Sequence, residues 1–335
     1  MAVRTYHPIP PSAQGVPTRA RPFSFHLQRI AREAARRVPR SHALISGNYT
    51  DHTPNTPQSR PQTLRTGLMP AGANAKQQNG DSMRYFTSDL HLSHPFVAAT
   101  RGFWNRRMKP EETADINALR AKLGKEAFER LVDTELHDMA IIRYLNSYIG
   151  KQDELFILGD ISVGSGRGLT NALNALNELN VPPSRIHLIL GNHDGFRIRP
   201  ATGISFALFG FGSISDNYYV ELEGPHGIMP TLLTHLPPKK YFCLPPAARR
   251  EGEGTSGNAF DKSLLKYAPY VPPNTYHLYG HTHGSDPFEL RNPMEMNVGI
   301  DAWRDGWKLR PVSEEMIVEA FTAIDERYRP GNCLR

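Results

Sequence analysis

Five short apolar runs in this chain each end in a side chain that can bind a metal ion, and this repetition constrains the fold more than any other feature. The runs are residues 84–89, 155–160, 187–194, 231–235 and 276–283. Short segments rich in Leu, Ile, Phe and Tyr, bounded by Gly and polar residues, are typical of buried β-strands. In open α/β sheets, ligands bind outside the carboxyl ends of the strands. The sequence therefore predicts one polar site at one edge of a sheet.

Length and composition favour a soluble, cytoplasmic protein. The 335 residues suffice for one large domain or two ordinary ones, and the 39% hydrophobic content supports a sizeable core. No run approaches the roughly 18 apolar residues of a membrane span, and no signal-peptide pattern follows the N-terminus. The two cysteines, Cys243 and Cys333, lie far apart and outside every motif, which fits a reducing cytosol.

The basic charge belongs to the N-terminal segment. Residues 1–80 contain 11 Lys or Arg against 2 Asp or Glu, whereas the remainder contains 28 against 31. Residues 1–82 also hold 10 of the 28 prolines, so we expect a disordered extension. It is interpreted as a dispensable segment, a basic arm for nucleic acid or an anionic membrane, or a transit peptide; translation from Met83 is a further hypothesis. Residues 83–326 are expected to form one domain, and 327–335 a C-terminal tail.

Residues 84–326 alternate between predicted strands and helices. Val132, Leu136, Met139, Ile142, Leu145 and Ile149 predict a helix with one buried stripe that Gly150 ends. Leu169, Leu173, Leu176 and Leu179 predict a second amphipathic helix. A strand over 214–222 is expected to turn at 224–227 into a strand over 228–235, and Ser313 to cap a last helix.

The strand ends supply oxygen and imidazole nitrogen without thiolate. The candidate ligands are Asp89, His91, Asp160, Asn192, His235, His281 and His283. This mixture suits Mn²⁺ first, with Fe, Zn²⁺ or Ni²⁺ as alternatives, better than Ca²⁺ or Mg²⁺. Seven ligands are too many for one tetrahedral ion and about right for two ions that share a carboxylate. Paired ions are the standard device for phosphoryl displacement, because they activate a water and neutralise the phosphate charge.

Spacing predicts how these side chains converge. Asp89 and His91 are two residues apart, so in an extended strand both would project to one face, and His281 and His283 repeat the pattern. Gly191 and Gly280 are expected to leave room close to an ion.

His193 follows Asn192 and would point away from the metal that Asn192 binds, which leaves it free to act as general acid. Asp194 either orients His193 or caps a turn.

Taken in order, the motifs resemble the calcineurin-like metallophosphoesterase superfamily. They are Asp89-Leu90-His91, Gly159-Asp160, Gly191-Asn192-His193-Asp194, His235 and Gly280-His281-Thr282-His283. The resemblance covers residues 84–323, and the segments 85–94 and 297–303 are similar to the small phosphoesterases of bacteria and phages.

The resemblance implies a sandwich of two mixed β-sheets flanked by helices, with a two-metal centre at the strand ends. It places Asp89, His91 and His283 on the first metal and Asn192, His235 and His281 on the second. Asp160 would bridge the two metals, and His193 would be the acid near the leaving group.

One departure argues against a protein phosphatase. Those relatives place a second Asp three residues after Gly-Asp and then Arg-Gly, whereas here Gly159-Asp160 is followed by Ile161-Ser162-Val163-Gly164.

Several other polar residues have both a functional and a structural interpretation. His94 either contacts substrate phosphate or caps a turn before Pro95, and Arg101 is more readily a solvated residue than a phosphate clamp. The stretch between His235 and Tyr276 is favoured as a substrate-facing loop, in which basic residues meet a phosphate or are simply solvated. The remaining residues are expected to be structural or exposed: His137, His187, His226, His277, Trp303 and Trp307.

The predicted function is a dinuclear metal-dependent phosphoesterase that acts on a phosphate ester, including nucleotides or nucleic acid as candidates. A metal-bridging hydroxide would attack phosphorus with His193 as general acid, and diesters are slightly favoured. The alternatives are a phosphomonoesterase of the same fold, a non-catalytic metal-binding interaction module, and a nuclease whose basic extension binds nucleic acid.

Overall fold

The structure, a computed structural model of the chain, describes residues 82–162, 166–195, 200–239, 264–290, 292–304 and 309–328. The predicted extension 1–82 lies outside the described residues except for Ser82. The last helix continues through Tyr328, two residues into the predicted tail 327–335, and the rest of that tail lies outside the described residues.

The described residues form two mixed sheets flanked by helices. The strands are β1 Arg84–Thr87, β2 Glu154–Ile157, β3 Ile186–Ile189, β4 Ser213–Ser215, β5 Tyr218–Gly224, β6 Gly227–Leu233, β7 Tyr276–Tyr279, β8 Glu295–Asn297 and β9 Val312–Ser313. The helices are α1 Pro95–Thr100, α2 Pro110–Thr113, α3 Ile116–Leu123, α4 Lys125–Glu129, α5 Thr134–Tyr148, α6 Arg167–Leu176, α7 Pro200–Phe209 and α8 Glu314–Tyr328.

Each sheet combines parallel and antiparallel pairs. The first sheet has the order β4-β3-β2-β1-β9, in which β1 to β4 are parallel and β9 is antiparallel to β1. The second has the order β5-β6-β7-β8, with an antiparallel β5–β6 hairpin and parallel neighbours beyond it. Parallel neighbours need long crossovers, and the helices after β1, β2 and β3 supply them in the first sheet.

The alternation of side chains along the first sheet divides the interior into two cores. In β1, Tyr85 packs among the helices, whereas Phe86 packs into a core shared with the second sheet. The Phe86 ring stacks on Phe156 of β2 with centroids 5.2 Å apart. Each of these buried phenylalanines contributes about 1.5–3 kcal/mol relative to exposure. The shared core packs the two sheets face to face, so that their strand ends come together.

The predicted stripe of the long helix is wrong in part. Asp133 caps α5, and Ile142, Leu145 and the flanking Ile149 are buried, but Leu136 and Met139 are 47% and 55% exposed. His137 is buried instead, because Asp138 and Arg101 satisfy its two ring nitrogens. The buried face of α5 therefore contains His137, Ile141, Ile142 and Leu145 and leaves out Leu136 and Met139.

The predicted strand over 214–222 is wrong in part, because it is two strands and not one. The extended segment is interrupted at Asp216 and Asn217, and the two strands on either side, β4 and β5, belong to different sheets. Asp and Asn favour turns because their side chains hydrogen-bond nearby backbone.

Three local predictions are confirmed. The buried face of α6 contains Leu169, Leu173 and Leu176, and the β5–β6 hairpin turns between Gly224 and Gly227. Ser313 caps α8, since its hydroxyl accepts from the Met316 amide at 3.3 Å. In the described part of the chain, no helix is long and apolar enough to cross a membrane.

Candidate metal centre

The polar residues of all five runs follow strand ends, but the strands belong to two sheets rather than one. Asp89 and His91 follow β1, Asp160 follows β2 and Asn192 follows β3, all in the first sheet. His235 follows β6, and His281 and His283 follow β7, in the second sheet. The prediction of a single sheet edge is therefore corrected: the site lies where the strand ends of both sheets meet.

Two groups of side chains offer ligand atoms close enough to hold a metal ion. The first group is Asp89, His91 and His283; the second is Asp160, His235 and His281. Within each group the ligand atoms lie within 4.8 Å of one another. Asn192 adjoins the second group, with its Oδ1 2.9 Å from Nε2 of His235. The seven predicted ligands are thus all brought together.

Asp160 lies between the two groups. Its Oδ2 is 3.4 Å from Nε2 of His235 in the second group and 3.6 Å from Nε2 of His91 in the first. The other oxygen of this carboxylate, Oδ1, accepts from the His193 amide at 2.8 Å. One oxygen is therefore fixed by backbone, and the other faces ligands of both groups.

The chain reaches this arrangement through left-handed backbone and not through strand alternation. Asp89, His91, Asp160, His281 and His283 have φ angles of 59°, 47°, 54°, 72° and 52°. Residues other than Gly rarely adopt this conformation, and where they do, the strain clusters at functional sites. The expectation that Asp89 and His91 share a face of an extended strand is wrong, because β1 ends at Thr87. Tight turns after the strand direct both side chains inward.

Two glycines allow the loops to approach. A Cβ on Gly191 would overlap the Asp160 carboxylate, and a Cβ on Gly280 would overlap the Ser88 hydroxyl and approach Asp89 Oδ2 at 2.5 Å. As predicted, Gly191 and Gly280 leave room at the site. The side chains of Asp160, Ser88 and Asp89 occupy that room.

Asp194 caps a turn and does not orient His193. Its Oδ2 accepts from the amides of Asp160 and Gly191 at 2.7 and 3.0 Å, and its Oδ1 accepts from Ile161 at 3.1 Å. Burial, followed by the nearby Asp160 charge, raises the pKa of Asp194 to about 7. The capping alternative is the one that the structure supports.

The first group contains atoms whose surroundings fit a cation. Asp89 Oδ1 is buried, and among the described residues no donor lies within hydrogen-bonding distance of it. Nε2 of His91 and Nε2 of His283 face each other at 3.1 Å. Buried polar atoms are normally satisfied, so an acceptor without a donor beside two converging imidazole nitrogens suits a divalent ion with nitrogen and oxygen ligands.

The electrostatics of the two groups differ. Burial and, after it, the neighbouring His235 together lower the pKa of His281 to about 3. Burial also opposes protonation of His235, but Asp160, with smaller contributions from Asp89 and the Leu158 carbonyl, raises the pKa of His235 to about 9. Burial would raise the pKa of Asp160, yet His235 and His91 together lower it. Without a cation, a proton on His235 therefore balances the charge of Asp160.

Sequence reasoning missed Asp301, which supports the first group. Its Oδ2 accepts from Nδ1 of His283 at 2.8 Å. Arg101 donates to both Asp301 oxygens and to the backbone carbonyls of Asp89 and Leu90. Arg101 is thus buried and structural, which corrects the interpretations as a solvated residue or a phosphate clamp. The position of Asp301, two residues after Gly299 in the 297–303 segment, was the available signal.

His193 belongs to neither group but faces the first. Its ring lies 5.3 Å from that of His91, and its Nε2 lies 4.0 Å from Asp160 Oδ2. Its side chain is 38% exposed, so it can be reached from solvent.

His94 stands at the rim beside His91 and His193, with ring centroids at 5.4 and 6.3 Å. Its Nδ1 accepts from the Val97 amide at 3.4 Å and caps α1, so the capping alternative holds. Burial, then His193, lowers the pKa of His94 to about 4. Contact between its ring and a substrate phosphate stays a prediction.

The residues that were predicted to lie outside the site are structural or exposed where the structure describes them. His137, His187 and His277 pack inside the fold, and His226 is exposed at the β5–β6 turn. The indole of Trp303 donates a hydrogen bond to the Asn297 carbonyl and packs against the core that the two sheets share. Trp307 and most of the predicted loop, residues 240–263, lie outside the described residues.

Comparison with known proteins connects the chain to phage proteins. No family model matches the chain. The chain is 30% identical over 254 residues to the Gene 66 protein of Mycobacterium phage L5, covering 73% of this chain and 97% of the relative. It is 29% identical over 248 residues to the Gene 66 protein of Mycobacterium phage D29, covering 72% and 97%.

A solved structure, that of a protein of unknown function from Aquifex aeolicus, is similar at 20% identity and a TM-score of 0.40. The similarity covers 71% of this chain and 99% of that one. At 30% identity over nearly the whole relative, the chain belongs to the family of the mycobacteriophage Gene 66 proteins.

Proposed function

We propose that this protein is a dinuclear metal-dependent phosphoesterase built on a metallophosphoesterase-like sandwich. The observation that carries the proposal is the position of Asp160, whose Oδ2 lies 3.4 and 3.6 Å from imidazole nitrogens of two separate ligand groups. A carboxylate shared between two such groups is an arrangement that suits a pair of cations. Two mixed sheets with a common core and converging strand ends support the sandwich.

Asp89, His91 and His283 would hold one ion, Asn192, His235 and His281 the other, and Asp160 both. Mn²⁺ is the first candidate because the donors are nitrogen and oxygen without thiolate. When bound, such ions supply charge neutralisation of the phosphate and a nucleophilic water near neutral pH.

The chain's own residues supply orientation and proton transfer. Asp301 fixes the His283 ring through Nδ1, so that Nε2 points to Asp89 and His91. His193 is half-exposed at the edge of the cluster and carries a proton to the departing oxygen. His94 borders the same face and would contact the phosphate.

Diesters are slightly favoured over monoesters, because Val163 and Gly164 stand in the sequence where protein phosphatases have the second Asp and the Arg. The distinguishing experiment compares a bis-aryl phosphate with a mono-aryl phosphate, using the full chain loaded with Mn²⁺. We expect faster turnover of the diester, two metal ions per chain by elemental analysis, and loss of turnover in Asp160→Asn.

The outcomes separate the alternatives. Faster monoester turnover would assign a phosphomonoesterase. One or two bound ions without turnover of either ester, tested with Mn²⁺, Fe²⁺, Zn²⁺ and Ni²⁺, would favour a non-catalytic metal-binding module and contradict the proposal.

A further inference from the structure

A cavity of about 300 Å³ borders the second ligand group. Its walls include Asp216, Asn217, Tyr219, His235, Tyr267 and Tyr270, and we name it the tyrosine pocket. His235 belongs both to this pocket and to the second group, so the pocket adjoins the proposed metal centre.

Its aromatic side chains are unusually exposed. Tyr219, Tyr267 and Tyr270 are 56%, 38% and 79% exposed, more than any other tyrosine between residues 82 and 324 whose side chain the structure describes. Large aromatic side chains normally bury most of their surface, with the hydroxyl reaching a partner or water. Lys266 Nζ lies over the Tyr267 ring, 4.8 Å from its centroid. Tyr219 and Tyr270 border the same cavity beside a polar centre, and their rings provide faces on which a planar ring can stack.

The fold places hydrogen-bonding groups beside these rings. Asp216 and Asn217 occupy the crossing from the first sheet to the second, where the chain leaves β4 and enters β5. A carboxylate accepts hydrogen bonds, and a carboxamide both donates and accepts, so together they can bind the polar edge of a heterocycle.

Size and charge limit what the pocket can hold. A volume of about 300 Å³ is at the lower end for small-molecule sites and admits one nucleoside rather than a duplex. Residues 81–335 hold 28 Lys or Arg against 31 Asp or Glu, so this part of the chain lacks the basic excess that a nucleic-acid backbone requires.

We propose that the tyrosine pocket binds the nucleobase of a mononucleotide-sized phosphate ester whose phosphate lies at the metal centre. This inference rests on the proposed function and names its substrate class. The base stacks on the rings of Tyr219 and Tyr270, and Asp216 and Asn217 hydrogen-bond its edge.

The test compares the affinity of guanosine 5′-monophosphate with that of ribose 5-phosphate for the Mn²⁺-loaded full chain, by titration calorimetry. The two probes differ by the base. We expect the nucleotide to bind about tenfold or more tightly, as base–aromatic stacking provides.

Variants identify the rings responsible. The double variant Tyr219→Ala with Tyr270→Ala is expected to lose the preference for the nucleotide, whereas the double Phe variant keeps most of it. Ile228→Ala is the matched control, because Ile228 is 56% exposed like Tyr219 but lies at the other end of the same hairpin.

Equal affinity for the two probes, or a preference that survives the double Ala variant, would overturn the pocket assignment. Hydrolysis of the bis-aryl phosphate by the same preparations separates this result from the proposed function. Turnover without base preference removes only the pocket assignment, and a tyrosine-dependent base preference without turnover of any phosphate ester supports the pocket while removing the phosphoesterase proposal.

Discussion

Asp301 accepts a hydrogen bond from Nδ1 of His283 at 2.8 Å, across 18 residues of chain. Burial would raise the pKa of Asp301, but Arg101 and His283 keep it well below the usual range. The carboxylate therefore stays charged and fixes both the tautomer and the orientation of His283. Partners of this kind raise the basicity of a metal-binding imidazole.

Replacement of this carboxylate should weaken metal binding. We expect Asp301→Asn to reduce Mn²⁺ affinity about 10- to 100-fold, as loss of an outer-shell partner does. The measurement is calorimetric titration with Mn²⁺. Asp115→Asn serves as control, since Asp115 caps α3 through the Ala118 amide and Asn caps equally well. Unchanged affinity in Asp301→Asn would show that His283 is oriented without it.

Replacement of Asp160 should affect both ions. Because its Oδ2 faces His235 and His91, Asp160→Asn is expected to lower the metal content below two ions per chain and turnover by more than about 100-fold. Elemental analysis and initial rates check this. Asp133→Asn, at the cap of α5, is the control. Retention of two ions per chain would contradict the shared position of Asp160.

Replacement of His193 should separate catalysis from metal binding. His193 lies outside both ligand groups, so His193→Gln is expected to keep the metal content. Loss of a general acid should lower turnover about 100- to 10,000-fold, and more for a poor leaving group than for a good one. Initial rates with alkyl and aryl esters test this, with His226→Gln as an exposed control. Equal losses for both leaving groups would argue for a role other than proton donation.

Metal binding should release protons. Because Asp160 raises the pKa of metal-free His235 to about 9, the imidazole is protonated at pH 7 and must become neutral to bind an ion. Affinity is therefore expected to rise with pH below 9, by about tenfold per unit for one proton. Titrations between pH 6 and 8 in buffers of different ionisation enthalpy count the protons. An affinity independent of pH would contradict the coupling of His235 to Asp160.

A methyl group at Gly159 should disturb the site as well as the fold. Gly159 has a φ of 91°, and a Cβ there would lie 2.6 Å from Nδ1 of His235. Gly210 has a similar φ of 86° with nothing within 4 Å of its Cβ, so Gly210→Ala isolates the backbone strain.

Backbone strain and steric overlap of the added methyl group each lower the free energy of unfolding by about 1–3 kcal/mol. We expect Gly159→Ala to lose more unfolding free energy than Gly210→Ala, and Mn²⁺ affinity in addition. Urea unfolding and metal titration measure the two effects, and equal losses in both variants would show that the loop relaxes.

The sequence by itself determined the strand ends and the candidate ligands. Apolar runs that end in Asp, Asn or His are local patterns, and residues such as Asp160 and His235 could be identified because period, turn residues and donor type are all read within a few positions. The cap at Ser313 and the β5–β6 hairpin depend on equally local chemistry.

Only the tertiary structure decided how these pieces combine. Arg101 contacts Asp301 across 200 residues of chain and His137 across 36, so neither contact is encoded near the residue. The left-handed turn at Asp89 and the contribution of two sheets depend on long-range pairing and packing. Such contacts form between segments distant in the chain, and their free energy has no signature in local periodicity.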